Sequence, residues 1–373
     1  MILCFSTLKP GLVLANGKIK FGVIGDFGTA GANEAAVANL VKSWNPDFII
    51  TTGDDNYSSG AASTIDANIG QYYHDYIYPY KGKYGDGAVT NRFFPSLGNH
   101  DYKAVRAQPY IDYFTLPGNE RYYDFVKGPV HFFAIDSDNN EPDGNTATSV
   151  QANWLKSRLA ASTSQWNIVY FHHPSYSSGA NHGSSVYMRW PFKEWGVDIV
   201  MNGHDHEYER LTVDGVTYFV NGTGGADLYK FGTPLSGSQV RYNATYGAML
   251  VEADENNVLA KFINKQGETV DSYSMVSVRN QPTVTKAPTL KPTVVVGNCP
   301  KLRLGGDANC DGQIDIGDYS LWYKQFYDGG VGKIIKSMWE ADFTGTNGTP
   351  DNKVDVYDYS LWYKKFQETF KFK

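Results

Sequence analysis

Apolar residues fall into short runs at Phe21–Ile24, Phe48–Thr52, His131–Ile135, Trp166–Phe171 and Val197–Met201. Runs of this length, bounded by Gly, Asp and Asn, read as buried strands. Between them, Asn33–Trp44 and Gln151–Ala161 space their apolar positions at the helical period, which predicts two helices. From Val213 onward that period stops, and Val216–Val220, Ala248–Glu252, Val258–Phe262 and Thr269–Met275 predict only strands and turns. An alternating first half followed by a β second half predicts an α/β fold with two packed mixed β-sheets flanked by helices.

Residues 281–300, QPTVTKAPTLKPTVVVGNCP, contain no acidic residue and are rich in Pro and Thr, the composition of an extended, semi-rigid linker. Beyond it, Asp318–Phe326 recurs as Asp358–Phe366, forty residues later, which reads as a duplicated small unit. At the other end, Ile2–Ala15 is apolar apart from Lys9 and Pro10 and closes on Val13-Leu14-Ala15, with the small residues a signal peptidase prefers. The expected division is therefore a signal peptide over 1–15, a main domain over 16–278, a linker over 279–300 and a duplicated module over 301–373. Export to the cell surface or beyond follows from it.

Composition narrows the partners. The net charge of −6 gives no global basic field to recruit nucleic acid, so any anion site must be local. No later stretch is apolar for the length that spans a bilayer. Cys4 would leave with the signal, and Cys299 and Cys310 form either one short disulfide or two free thiols. Four Asn-x-Ser/Thr sequons begin at Asn56, Asn221, Asn243 and Asn347.

Five polar motifs follow apolar runs: Gly25-Asp26-Phe27-Gly28, Gly53-Asp54-Asp55-Asn56-Tyr57, Gly98-Asn99-His100-Asp101, Phe171-His172 and Gly203-His204-Asp205-His206. In α/β sheets ligands bind outside the carboxyl ends of strands, so the five should converge. Together they offer carboxylates, an amide, a phenol and three imidazoles. That donor set suits iron, manganese or zinc, whereas calcium would not attract so many imidazoles. His74 and His131 lie outside every motif and read as structural. Asp55, Asp101 and Asp205 read as groups that orient ligands, and His173 as one that supports a ligand or lines the pocket rim.

In these motifs, from about Lys20 to Met275, the chain resembles the calcineurin-like metallophosphoesterases, and in Tyr57, three residues after Asp54, the purple acid phosphatases. The resemblance implies the αββα sandwich of that family and a binuclear centre of Fe(III) with Fe(II), Zn(II) or Mn(II). Asp26, Tyr57 and His206 would hold the first metal, Asn99, His172 and His204 the second, and Asp54 would bridge them. It further implies hydrolysis of phosphomonoesters by metal-activated hydroxide, with His100 protonating the leaving group and His182 near the phosphate. A phosphodiesterase or nucleotidase on the same site is the alternative within enzymes.

The C-terminal repeat carries its own chemistry. Asp307, Asn309, Asp311, Asp315 and Asp318, with Gly312 at the sixth place, follow the spacing of a calcium loop. Tyr319, Trp322, Tyr323 and Phe326 then recur at helical spacing. In the second copy Asp351, Asp355 and Asp358 fit directly, and Asp342 and Thr344 fit once Thr346–Pro350 is taken as an insertion. Asn352 replaces the glycine there, and weaker Ca(II) binding is expected. The pair resembles a dockerin, a small all-α, EF-hand-like module, which implies a cohesin-like partner. An intramolecular calcium clasp is the other reading. A surface-anchored binding protein with a vestigial metal site is the reading outside enzymes.

Overall fold

The computed structural model describes residues 17–277. The expected signal, linker, cysteine pair and calcium-loop module, including Asp307, Asn309, Asp311, Asp315, Asp318, Asp342, Thr344, Asp351, Asp355 and Asp358, lie outside the described residues. Within them the strands run, in chain order, β1 (Ile19–Ile24), β2 (Phe48–Thr51), β3 (Phe93–Phe94), β4 (Tyr123–Lys127), β5 (Val130–Ala134), β6 (Trp166–Tyr170) and β7 (Ile199–Asn202). The series continues with β8 (Tyr208–Val213), β9 (Val216–Asn221), β10 (Ser238–Tyr242), β11 (Gly247–Ala253), β12 (Asn257–Asn264) and β13 (Thr269–Val276).

They form two sheets, one ordered β13-β12-β11-β1-β2-β3 and one ordered β10-β8-β9-β7-β6-β5-β4. Both are mixed. β1 pairs parallel with β2 and antiparallel with β11, and β7 pairs parallel with both β6 and β9. The all-β second half is thus no separate layer, because β8–β10 finish one sheet and β11–β13 the other. Asp214-Gly215, both at positive φ, make the tight turn between β8 and β9.

The runs are apolar without alternation because both faces of their strands are covered. In β5, Phe132 points into the core between the sheets while Phe133 enters a second core under the helix Val150–Ala160. Ile168 and Tyr170 of β6 divide from Val169 in the same way. Across the sheets Phe132 meets Phe21 and Phe48 at centroid distances of 5.1 and 5.3 Å, and Tyr208 stacks on Phe262 at 4.1 Å. The helix Ala32–Ser43 covers the first sheet with Val37 and Val41.

Four elements differ from expectation. The helix predicted from Gln151 begins at Val150 because the Ser149 hydroxyl accepts from the Ala152 amide and caps it. The apolar run before Gly98 is strand only over Phe93–Phe94, since Pro95 has no amide to continue the ladder. β4 and β10, at the two edges of the second sheet, carry too few apolar residues to register as runs. Among the described residues no helix is long and apolar enough to cross a membrane.

Candidate metal centre

Each motif sits just past the end of a strand. Asp26 follows β1, Asp54 follows β2 and Asn99 follows β3, all in the first sheet; His172 follows β6, and His204 and His206 follow β7, in the second. The site therefore straddles the two sheets. The turns are tight, with Asp26, Asp54 and His204 at φ of 56°, 54° and 71°, values that ordinary residues hold only when the surroundings impose them. Gly203 is required by space: a Cβ there would stand 2.5 Å from Asp26 Oδ2 and 2.7 Å from the Thr52 carbonyl oxygen.

Two groups of donor atoms result. In the first, Tyr57 Oη donates toward Asp54 Oδ2 at 2.9 Å and Asp26 Oδ1 at 3.2 Å and lies 3.0 Å from His206 Nε2. His206 Nε2 is 3.4 Å from Asp26 Oδ1. In the second, His172 Nε2 lies 3.0 Å from Asn99 Oδ1, 3.1 Å from His204 Nδ1 and 3.5 Å from Asp54 Oδ2. Asp54 Oδ2 belongs to both. It is the atom placed to bridge.

Backbone groups aim these donors. The second oxygens of both carboxylates are occupied, Asp54 Oδ1 by the His100 amide at 2.8 Å and Asp26 Oδ2 by the His204 amide at 2.9 Å. A carbonyl can only accept, so the Thr52 carbonyl 2.9 Å from His172 Nδ1 and the Asp227 carbonyl 2.6 Å from His206 Nδ1 place the protons on those nitrogens. Each ring then turns its Nε2 into the site.

Charge is finely divided. Burial would raise the Asp26 carboxyl, but His172 and His206 outweigh it and hold the group below the ordinary range. Tyr57 is pushed well up by burial and by the two carboxylates. Burial drives His204 down, as do His172, His173 and His182 around it, so it stays neutral and able to ligate. Loading a cation here must release the phenolic proton.

The residues fit the expected metal pair. Ligands about 2.1 Å from an ion stand about 3.0–3.4 Å from one another in tetrahedral or octahedral arrangements, which is the spacing of both donor groups. The donors are oxygen and nitrogen throughout, as first-row ions of this kind prefer. Asp26, Asp54, Tyr57, Asn99, His172, His204 and His206 are all brought together.

His100 and His182 stand at the mouth. The His100 ring lies 4.4 Å from that of Tyr57, its Nδ1 donates to the Ser58 carbonyl at 2.8 Å, and its Nε2 is 4.0 Å from Asp54 Oδ2. His182 is exposed and stacks on His204 at 4.1 Å. Asp101 takes the amides of Gly98, Asp55 and Asn56, and Asp205 those of His182 and Gly183, so both hold the loops that carry the site. Asp55 does not orient a ligand: its buried carboxyl lies beside Thr51 and Asp101, pushed well up by burial and by the Asp101 charge.

His131, paired with Asp124, lies away from the site, as does His74 against the Gly70 carbonyl. His173 offers a ring nitrogen within 4.8 Å of those of His172 and His204, its Nδ1 2.9 Å from the Ser137 hydroxyl, and burial holds it down to about 3. Tyr229, which no motif flagged, stacks on His206 at 4.0 Å. Two sequons are ruled out as glycan sites by burial: Asn56 donates to the Ala61 carbonyl, and Asn221 to that of Val23.

Two facing mixed sheets with candidate metal ligands gathered beyond their strand ends define a metallophosphoesterase architecture. The chain belongs to the calcineurin-like phosphoesterase family, whose profile matches residues 19–208. It is similar to purple acid phosphatase 17 of Arabidopsis thaliana, 27% identical over 233 residues that make up 53% of this chain and 65% of that protein. The chain thus spans just under two thirds of that relative. Purple acid phosphatase 7 of the same plant is 27% identical over 58% of this chain and 73% of its own length. Tartrate-resistant acid phosphatase type 5 of Mus musculus is 27% identical over 55% of this chain and 72% of its own.

Among solved structures, purple acid phosphatase PPD1 from yellow lupin (Lupinus luteus) seeds superposes with a TM-score of 0.59 at 19% identity, over 71% of this chain and 55% of that one. GAP50, the anchor in the inner membrane complex of Plasmodium, superposes with 0.56 at 22% identity, over 70% and 89%. At these identities the likeness establishes the fold alone.

Proposed function

We propose that this chain is a phosphatase that hydrolyses phosphomonoesters at a purple-type binuclear centre. The observation that carries the reading is Tyr57, whose hydroxyl lies within 3.2 Å of Asp54, Asp26 and His206 at once. Asp26, Tyr57 and His206 would hold Fe(III), and Asn99, His172 and His204 a divalent Fe, Zn or Mn, with Asp54 shared. Two ions so held supply positive charge for the phosphate and a means of activating water at neutral pH. His100, with Nδ1 committed to Ser58 and Nε2 4.0 Å from Asp54 Oδ2, would carry a proton to the leaving oxygen on Nε2. His182, which stacks on His204, would meet the phosphate.

Protein loaded aerobically with iron is expected to absorb in the visible through phenolate charge transfer. Tyr57→Phe should remove that band while elemental analysis still finds iron. A band unchanged in the variant would sink the purple-type assignment and leave a general metallophosphoesterase.

Export and a calcium module complete the proposal, supported by the apolar start and by the spacing of Asp307, Asn309, Asp311, Asp315 and Asp318. In calorimetry of the full chain, calcium at a hundred times its dissociation constant should stabilise one transition by about 2.7 kcal/mol. Asp307→Ala with Asp318→Ala should abolish the shift. No shift in the unmodified chain would mean that the repeat holds no calcium, and with it the case for a cohesin-like partner would lapse.

A further inference from the structure

The helix that begins at Asn99 is a single turn, Asn99–Tyr102, and Lys103 closes it. Residues three apart on a helix share a face, so Lys103 stands over His100. Its Nζ lies 3.0 Å from His100 Nδ1 and 3.1 Å from Nε2, and it donates to the Ser58 carbonyl at 3.4 Å. Because Nδ1 already donates to that carbonyl, the lone pair of the neutral ring is on Nε2; the ammonium, about equally far from both ring nitrogens, packs against the ring and not along that lone pair. Lys42, Arg121, Arg158 and Arg210 each meet a carboxylate. Lys103 is exposed, and among the described residues no carboxylate pairs with it. It is a cation without a counter-charge beside the group assigned to the leaving oxygen.

That placement decides which end of a substrate it meets. On the phosphatase reading, the scissile phosphate would lie over the candidate metal ligands with the bond that breaks turned toward His100. A charge on the leaving group would then arrive beside Lys103. We propose that Lys103 is a specificity-determining residue that binds a second phosphate carried by the leaving group, so that the site favours phosphoric anhydrides such as nucleoside diphosphates. The inference rests on the phosphatase reading above. In the reaction a water oxygen bonds to the terminal phosphorus and gives up a proton to solvent, the bond to the bridging oxygen breaks, and that oxygen leaves on the remaining phosphate with its electron pair. A phosphate is a good leaving group and needs little protonation, so the charge it carries away matters more than the proton His100 supplies. Anhydrides should accordingly depend on Lys103, and esters of poor leaving alcohols on His100.

The test compares kcat/KM of the metal-loaded full chain on ADP, pyrophosphate and phenyl phosphate for the unmodified protein, Lys103→Ala, Lys103→Arg and Lys103→Glu. The ratio of variant to unmodified protein cancels the intrinsic reactivity of each substrate. Lys103→Ala is expected to lose about five- to tenfold more on ADP and pyrophosphate than on phenyl phosphate, mostly in KM, as suits one charged contact at a solvated rim. Arginine should restore the preference and glutamate should deepen the loss. Equal losses on all three substrates would overturn the proposal and leave Lys103 acting only through His100. If the unmodified protein hydrolysed none of them, the phosphatase reading would fail by itself. Calorimetric binding of pyrophosphate against orthophosphate would still decide the Lys103 question: a pyrophosphate preference lost in Lys103→Ala upholds it, and equal affinity in the unmodified protein overturns it.

Discussion

Asp54→Asn is expected to leave the chain folded, to empty the metal centre and to lower kcat/KM on the order of 10²–10³-fold or more. Asp54 Oδ2 touches both donor groups, 2.9 Å from Tyr57 Oη and 3.5 Å from His172 Nε2, while Oδ1 is held by the His100 amide. An asparagine that keeps the amide contact must present its NH₂ where the shared oxygen stood. That nitrogen cannot ligate a metal, and one ligand is lost to two ions at once. Elemental analysis of dialysed protein should find the metal content collapsing together with activity, with the circular dichroism of the fold retained. A variant that kept two metals per chain would show that Asp54 does not join them.

His100→Ala should cost about 10²–10⁴-fold on esters of poor leaving alcohols and far less on nitrophenyl phosphate, whose leaving group departs without help. Metal content should be unchanged, since His100 Nε2 lies 4.0 Å from Asp54 and its Nδ1 is committed to Ser58. The measurement is the slope of log kcat/KM against leaving-group pKa, which should steepen in the variant. A uniform loss across leaving groups would give His100 a positional role, propping Lys103 or the Tyr57 ring.

Much of the layout was legible along the chain because each candidate ligand sits in a short motif that ends an apolar run. Gly25-Asp26, Gly53-Asp54, Gly98-Asn99 and Gly203-His204 announce a tight turn and a donor in adjacent letters. The runs themselves reveal strands covered on both faces, since Phe132 and Phe133 each have a core to enter. The edge strand β10 buries one face at most and leaves no such trace.

Sequence by itself determined the donor inventory, the strand-end placement of the motifs and the tyrosine three residues after Asp54. Tertiary structure decided the rest: that Asp54 Oδ2 belongs to both donor groups, that Thr52 and Asp227 set the proton positions on His172 and His206, and that Tyr229 stacks on His206. It also decided that Asn56 and Asn221, sequons by their letters, are buried, and that Lys103 faces a histidine instead of a carboxylate. The physical reason is range. Turn and strand preferences act within a few residues, whereas Thr52 and His172 meet across 120 positions, and only the packing of one sheet on the other brings them to hydrogen-bonding distance.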